Sequence, residues 1–348
     1  MVNCIAVDKK IGEKTRLLLR ENGLIDPRFK VKAASNKIYF PIKPGSNYNR
    51  VLSELTDCKL LQENFEFKKK SLTPSLGELL KIYFKGVDKS LLPRSYDLIG
   101  DLLLLGIKDD IWERRLEIGR IIKENMKNVR AVFAKKGVVE GEYRLRGVEC
   151  IAGDCDPATT HRENGCSYHL DLTKVYFNTR LGSERLRVAR KVGEGEVVTD
   201  MFSGVGPFSI LIAKSKGAAV NAIDSNQDAI RYLRRNIDIN KVANLVKVFH
   251  GRAEDVIQKH LTNIADRVIM NNPSRSLNYL GVACSALKDS GGIIHLYVFS
   301  GEKDVDLKIR EASTKIRDHG YNARELSSIK VREIAPKRYI YVLDLSVG

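Results

Sequence analysis

Long apolar runs are missing from this chain. Nothing in it approaches the roughly 18 consecutive residues that a membrane-spanning helix needs, so no membrane partner is expected. The opening stretch MVNCIAVDKKIGEKTR lacks the basic-then-apolar layout of a secretory leader, and a cytoplasmic location is the expectation. Tight C-x₂₋₄-C pairs are missing too. Cys150, Cys155 and Cys166 crowd near His161 and His169, but the first two are separated by four residues and the next two by ten. That spacing argues against a structural zinc site, and no metal is expected. A disulfide among them would be unusual in a cytosolic protein unless its source were a hyperthermophile.

Acidic residues are in deficit: 43 Asp and Glu face 59 Lys and Arg, a formal net charge of +16. Such a balance points to a polyanionic partner, nucleic acid first. A lysine-rich thermophilic surface is the bland alternative. The 348 residues suit two or three domains, and 43% hydrophobic content supports a real core. No repeat or low-complexity segment stands out. No obligate protein partner is evident, and a monomer is expected.

Three regions follow from the patterning. Residues 1–62 read as a small basic α/β module, with a helical stretch over 12–25 and a strand over 36–44 stopped by proline; a charged linker covers 63–75. Residues 76–165 form a second α/β module. In it YDLIGDLLLLGI (96–107) reads as one strand, and 109–128 as a helix capped by Asp109. That helix turns Ile111, Leu116, Ile118, Ile121 and Ile122 to one face. Basic strands follow it. Residues 166–348 then alternate strands and helices in the rhythm of a doubly wound sheet, whose ligands lie outside the carboxyl ends of the strands.

VVTDMFSGVGPFS (197–209) is a strand, an acid and a glycine turn opening a helix. Gly204 and Gly206 allow the backbone to approach a ligand. A dinucleotide fingerprint needs a third glycine, but Ser209 stands there, and Pro207 removes an N–H that a pyrophosphate would use. Asp224 closes the next strand twenty residues past Gly204, where an acid takes ribose hydroxyls. A glycine turn plus that acid, without phosphate signals, suits S-adenosylmethionine. The cofactor set expected is Asp200, Phe202, Gly204, Gly206, Pro207, Asp224, Ser225, Arg252, Ala253 and Asn271. In HGRAED (250–255) Arg252 occupies the place where an acid beside the adenine is expected, leaving Glu254 or a backbone group to substitute.

With DMFSGVGPFS, VYFNTRLGSER (175–185) and VIMNNPSRS (268–276) in hand, the chain resembles the archaeal and eukaryotic tRNA (guanine-37-N1)-methyltransferases. The resemblance covers nearly the whole chain, including GEYRLRG (141–147), THRENG (160–165) and APKRYIYVLDL (335–345). It implies an α/β, Rossmann-like S-adenosylmethionine-dependent methyltransferase domain with a doubly wound sheet, preceded by two smaller α/β RNA-binding modules. The first of those modules would touch the outer corner of the tRNA. It also implies a substrate, tRNA with guanine at position 37, 3′ of the anticodon. By the same resemblance Glu184 is the base that takes the guanine N1 proton, and Arg144 faces O6. Asn271 holds the target base, with Pro273 fixing its turn, and Tyr176 borders the guanine.

The chemistry fits those roles. Guanine N1 carries a proton at neutral pH, so a base must free its lone pair, and the resulting charge drains onto O6. A carboxylate serves the first need and a guanidinium the second. Each has a bland counterpart: Glu184 and Arg185 as a solvated helix start, Tyr176 and Phe177 as core, Asn271 as a turn cap. A sister family transfers the aminocarboxypropyl arm of S-adenosylmethionine to a wyosine precursor at the same tRNA position, and some archaeal relatives methylate that precursor. The sister family lacks the N-x-P strand end that Asn271 and Pro273 supply here. Amino methyltransferases with an N-P-P-[YF] motif are disfavoured by Ser274 and Arg275.

Overall fold

The computed structural model describes residues 1–55, 58–66, 75–140 and 145–348. Arg144, and most of the linker expected over 63–75, lie outside the described residues. The chain divides into two compact units, Met1–Pro74 and Ser75–Gly348.

In the first unit, the buried apolar run Cys4–Val7 forms the middle of β1 (Val2–Asp8), which pairs antiparallel with β3 (Lys37–Pro41) and β4 (Lys59–Glu63); β2 (Lys32–Ala34) extends the sheet beside β3. Ile5, Val7 and Phe40 bury one face of this sheet together with Leu19 of α1 (Gly12–Glu21) and Val51 of the short α2 (Asn49–Ser53). The expected helix over 12–25 ends sooner, at Glu21.

The second unit opens with α3 (Leu76–Tyr83), whose Ser75 and Glu78 form a capping box. The single strand expected over 96–107 is two antiparallel strands, β5 (Tyr96–Ile99) and β6 (Leu102–Gly106). Gly100 is the reason: its φ is +59°, and a Cβ there would lie 2.1 Å from Thr159 Oγ1. The helix expected over 109–128 starts as a 3₁₀ turn, Asp109–Arg114, broken at Ile111, and only Arg115–Asn125 is α-helix (α4). Lys108 precedes the turn with no side-chain cap, so Asp109 does not play that part. Ile118, Ile121 and Ile122 are buried as expected, but Leu116 is 57% exposed because it falls on the opposite side of the apolar stripe. Strands β7 (Ala131–Glu140) and β8 (Leu145–Gly153) complete a four-stranded sheet in the order β5-β6-β7-β8. Cys150 on β8 and Cys155 just past its end form a disulfide with Cα atoms 5.6 Å apart. Among the described residues no cluster of three metal-ligating side chains is present.

A hairpin, β9 (Ala158–Glu163) and β10 (Cys166–Asp171), leads to the large sheet. Its order is β13-β12-β11-β14-β15-β17-β16: β11 (Val197–Asp200), β12 (Ala219–Asp224), β13 (Val246–His250), β14 (Arg267–Met270), β15 (Gly292–Ser300), β16 (Ala323–Ala335) and β17 (Arg338–Val347). β11 to β15 run parallel; β17 is antiparallel to both its neighbours. β14 is buried at every residue, as a parallel strand covered on both faces must be. Helices α5 (Gly182–Lys191), α6 (Ser209–Lys216) and α7 (Gln227–Asn240) belong with one face, where Val188, Ile210, Leu233 and Ile237 join Ile99 and Phe133 of the smaller sheet in one core. The other face is covered by α8 (Ala253–Val256), α9 (Leu280–Ala286) and α10 (Val305–Asp318). β12 and β13 are added on one side of β11 and β14 and β15 on the other, so the strand order switches between β11 and β14, the point where ligands bind in open α/β sheets. Among the described residues no helix is long and apolar enough to cross a membrane.

Candidate active site

A cleft opens at the carboxyl ends of β11, β12, β13 and β14, lined by Phe202, Gly204, Pro207, Asp224, Ser225, Arg252, Ala253 and Asn271 of the cofactor set. Asp200 and Gly206 are not in its lining. Asp224 Oδ2 accepts the Gly204 N–H at 2.7 Å and Oδ1 accepts the Asn226 N–H at 2.9 Å, so the acid ties the glycine turn to the end of β12. Burial pushes the Asp224 carboxyl up, and those two N–H bonds hold it back. Beyond Gly204 the space that a Cβ would fill is open.

Polar atoms without a protein partner mark what the cleft can hold. Among the described residues, Ser203 Oγ, Glu254 Oε2 and Arg185 Nε are buried with no hydrogen bond, and all three residues line the cleft. Buried polar groups rarely stay unpaired in a protein. A molecule carrying an amine, hydroxyls and a carboxylate, as S-adenosylmethionine does, supplies such partners. The Arg252 guanidinium donates to Glu254 Oε1 at 3.1 Å, which leaves Glu254 Oε2 as the unpaired acceptor in the lining. Tyr279, which no spacing in the sequence announces, meets Phe202 edge-on at 5.2 Å and gives the cleft an aromatic side.

Beneath the turn, Asp200 Oδ2 accepts Ser209 Oγ at 2.7 Å while Oδ1 has no partner. The serine at the third-glycine place thus serves this acid. Burial pushes the Asp200 carboxyl up from 3.8 to about 7, with the charge of Asp224 adding to it and Ser209 opposing it. Between those values the folded chain keeps a proton that the unfolded chain has released. The Asp200 contribution to stability is therefore fully present below about pH 4, is lost as pH rises to about 7, and is level above. Asp200→Asn keeps the shape without titrating. It is expected to flatten that slope and to gain on the order of a few kcal/mol over the wild type at about pH 8. Urea denaturation at about pH 5 and about pH 8 measures this, and equal slopes in the two proteins would contradict it.

On the base side, Tyr176 lines the cleft and is 49% exposed, whereas Phe177 is buried beside it. The Tyr176 hydroxyl accepts Asn178 Nδ2 at 3.2 Å, and Asn178 Oδ1 accepts Arg332 Nη1 at 2.9 Å, bringing the β16–β17 hairpin to this segment. Asn271, Asn272 and Pro273 also line the cleft, and the largely buried Pro273 follows a trans peptide bond. Asn272 Oδ1 accepts Ser274 Oγ, so the second amide is spent on the turn.

Glu184 and Arg185 are both buried, not a solvated helix start. Arg185 lines the cleft, over the Phe177 ring at 4.9 Å, and donates to Glu163 and to the Asn178 carbonyl. Glu184, 5% exposed, is not in the lining, although Leu181 and Arg185 on its own helical stretch are. Its carboxylate accepts Arg187 Nε at 2.7 Å, Arg187 Nη2 at 2.8 Å and Tyr297 Oη at 2.6 Å. Arg187 and Tyr297 are partners that no motif disclosed.

Three family models match the chain: the TRM5/TYW2 methyltransferase domain over residues 159–323, the TYW2 N-terminal domain over 78–156, and the tRNA methyltransferase 5 N-terminal domain over 4–48. The sequence is 38% identical to a protein of Pyrococcus abyssi named tRNA (guanine(37)-N(1))-methyltransferase Trm5b, across 100% of both chains. It is 35% identical to the protein of the same name from Methanocaldococcus jannaschii, across 99% of this chain and 98% of that one. A solved complex of aTrm5 and tRNALeu superposes with a TM-score of 0.69 at 34% identity, covering 99% of each chain.

Proposed function

The chain belongs to the archaeal and eukaryotic tRNA (guanine-37-N1)-methyltransferase family, and from that we propose that it methylates N1 of guanine 37 in tRNA. The observation that carries this reading is one cleft at the sheet's switch point. In it Asp224, Ser203 and Glu254 stand ready for a nucleoside cofactor beside Asn271 and Tyr176. Bound S-adenosylmethionine supplies the methyl group: the N1–CH₃ bond forms as the S–CH₃ bond breaks, its electron pair staying on sulfur.

The protein's own residues prepare the nucleophile. Glu184 takes the N1 proton, Arg144 stabilises the charge on O6, Asn271 bonds the base edge from a turn fixed by Pro273, and Tyr176 packs on the guanine. Asp224 holds the ribose, with Asp200, Phe202, Gly204, Gly206, Pro207, Ser225, Arg252 and Ala253 shaping the rest of the cofactor's bed. Residues 166–348 act as the methyltransferase domain and 76–165 as an RNA-binding module. Residues 1–62, joined through 63–75, recognise the tRNA outer corner. The surplus of +16 charges suits that polyanionic substrate. The enzyme works as a monomer in the cytoplasm.

Incubation of unmodified tRNA with S-adenosylmethionine labelled either on the methyl or on the carboxyl tests this. Methyl label alone in the RNA is the expected result. Carboxyl label in the RNA would replace the reading with aminocarboxypropyl transfer.

A further inference from the structure

Glu184 has no carboxylate oxygen to spare, because Arg187 and Tyr297 together engage both. Each is anchored in turn. Tyr297 is fully buried on β15 and packs on Phe208, which lines the cleft. Arg187 also donates Nη1 and Nη2 to Asp344 of β17, at 2.7 and 3.3 Å. Asp344 further accepts Lys191 Nζ at 2.7 Å, Ser327 Oγ at 3.0 Å and His295 Nδ1 at 2.5 Å. Arg267 Nη1 lies 2.9 Å from His295 Nε2, which leaves Nδ1 as the donor to Asp344, and Arg267 is itself paired with Glu196. The charged and titratable groups around the cluster therefore come from α5, β14, β15 and β17, with Glu196 from the connection just before β11.

Arg187 is shared between two carboxylates of unequal freedom. Burial works against charge at both Arg187 and Asp344, but their hydrogen bonds win: the guanidinium is held above its ordinary range and the Asp344 carboxyl well below its own. Asp344 thus stays charged whatever Glu184 does. Glu184, by contrast, must lose its charge to serve as a base. Arg187 Nε–H competes with an incoming proton for Oε2, and Glu184 is not among the residues that line the cleft.

We propose that Arg187 and Tyr297 are positioning residues that stow Glu184 one layer behind the cleft. Asp344 takes over the Arg187 guanidinium when Glu184 turns out to accept the guanine N1 proton. The inference rests on the assignment of Glu184 as base. In the step, the N1–H bond breaks, its electron pair stays on the guanine ring, and an O–H bond forms on Glu184. The Arg187 cation left behind keeps Asp344 as its partner, which it shares with the partly exposed Lys191, so it is not left unpaired in the core.

A double-mutant cycle tests it, read as single-turnover methyl transfer to tRNA at saturating S-adenosylmethionine. Asp344→Asn leaves Arg187 resting on Glu184 alone and is expected to slow transfer at least about tenfold. Adding Arg187→Gln is expected to restore the rate to within about threefold of Arg187→Gln alone. S-adenosylmethionine affinity should not move in any of the three. Two losses that simply multiply, as separate structural damage would, overturn the proposal. Should Asp344→Asn not fold, Tyr297→Phe removes one hold on the stowed carboxylate and is expected to speed transfer about threefold; an equal or slower rate overturns it. The base assignment fails separately: Glu184→Gln at the wild-type rate removes it, whereas a slow Glu184→Gln with a multiplicative cycle removes only the stowing.

Discussion

Glu184→Gln is expected to slow single-turnover methyl transfer by about 10²–10⁴-fold while leaving S-adenosylmethionine affinity within about twofold. The amide keeps the volume, and its one oxygen can still accept from Arg187 Nη2 and Tyr297 while the bond from Arg187 Nε is lost, so the fold around α5 should survive. What it loses is proton affinity. Because Glu184 is not in the cleft lining, no contact with the cofactor is removed, and the effect belongs to the rate and not to binding. Single-turnover kinetics with equilibrium binding separates the two. An unchanged rate would take Glu184 out of the chemistry.

Asp224→Asn is expected to do the reverse, weakening S-adenosylmethionine binding by on the order of 10–100-fold, from about 1.5–3 kcal/mol per hydrogen bond to a charged group. The carboxylate already accepts the Gly204 and Asn226 N–H groups, and its remaining acceptor capacity is what a ribose would use. An asparagine keeps one acceptor oxygen for the turn but brings a donor where a hydroxyl must be accepted. Titration calorimetry measures the affinity, and transfer at saturating cofactor should recover most of the wild-type rate. Loss of rate without loss of affinity would contradict the ribose assignment.

The patterns that could be read along the chain are those in which spacing alone carries the physics. Val268 to Met270 reads as a buried parallel strand because no polar residue interrupts it, and Asn271 and Pro273 must end it. The pairing of Gly204 with Asp224 follows from the strand–turn–helix–strand length. Where the sequence misled, a tertiary contact decided. Gly100 divides the apolar stretch because the β9 backbone lies against it, and its N–H donates to the ring of His161, 61 residues away in the sequence. β16 is not legible in the sequence because the alternation of ARELSSIKVREIA is mixed with charge on an edge strand.

The candidate site divides along the same line. Ser203, Gly204 and Asp224 belong to a local motif, whereas Tyr279 and Glu254 reach the cleft only once the sheet is assembled. The surroundings of Glu184 are more hidden still. Tyr297 and Asp344 stand 113 and 157 residues from their α5 partners Glu184 and Arg187, on strands whose register no periodicity dictates. A carboxylate identified by its motif can therefore be held in an arrangement that the motif does not describe.

Mass-spectrometric mapping of the nucleoside formed when unmodified tRNA is incubated with the wild-type chain and S-adenosylmethionine tests the central claim most directly. The account predicts N1-methylguanosine at position 37, and its near absence over the same time with Glu184→Gln. A methyl group on another atom or at another position, or an aminocarboxypropyl adduct in its place, would contradict it.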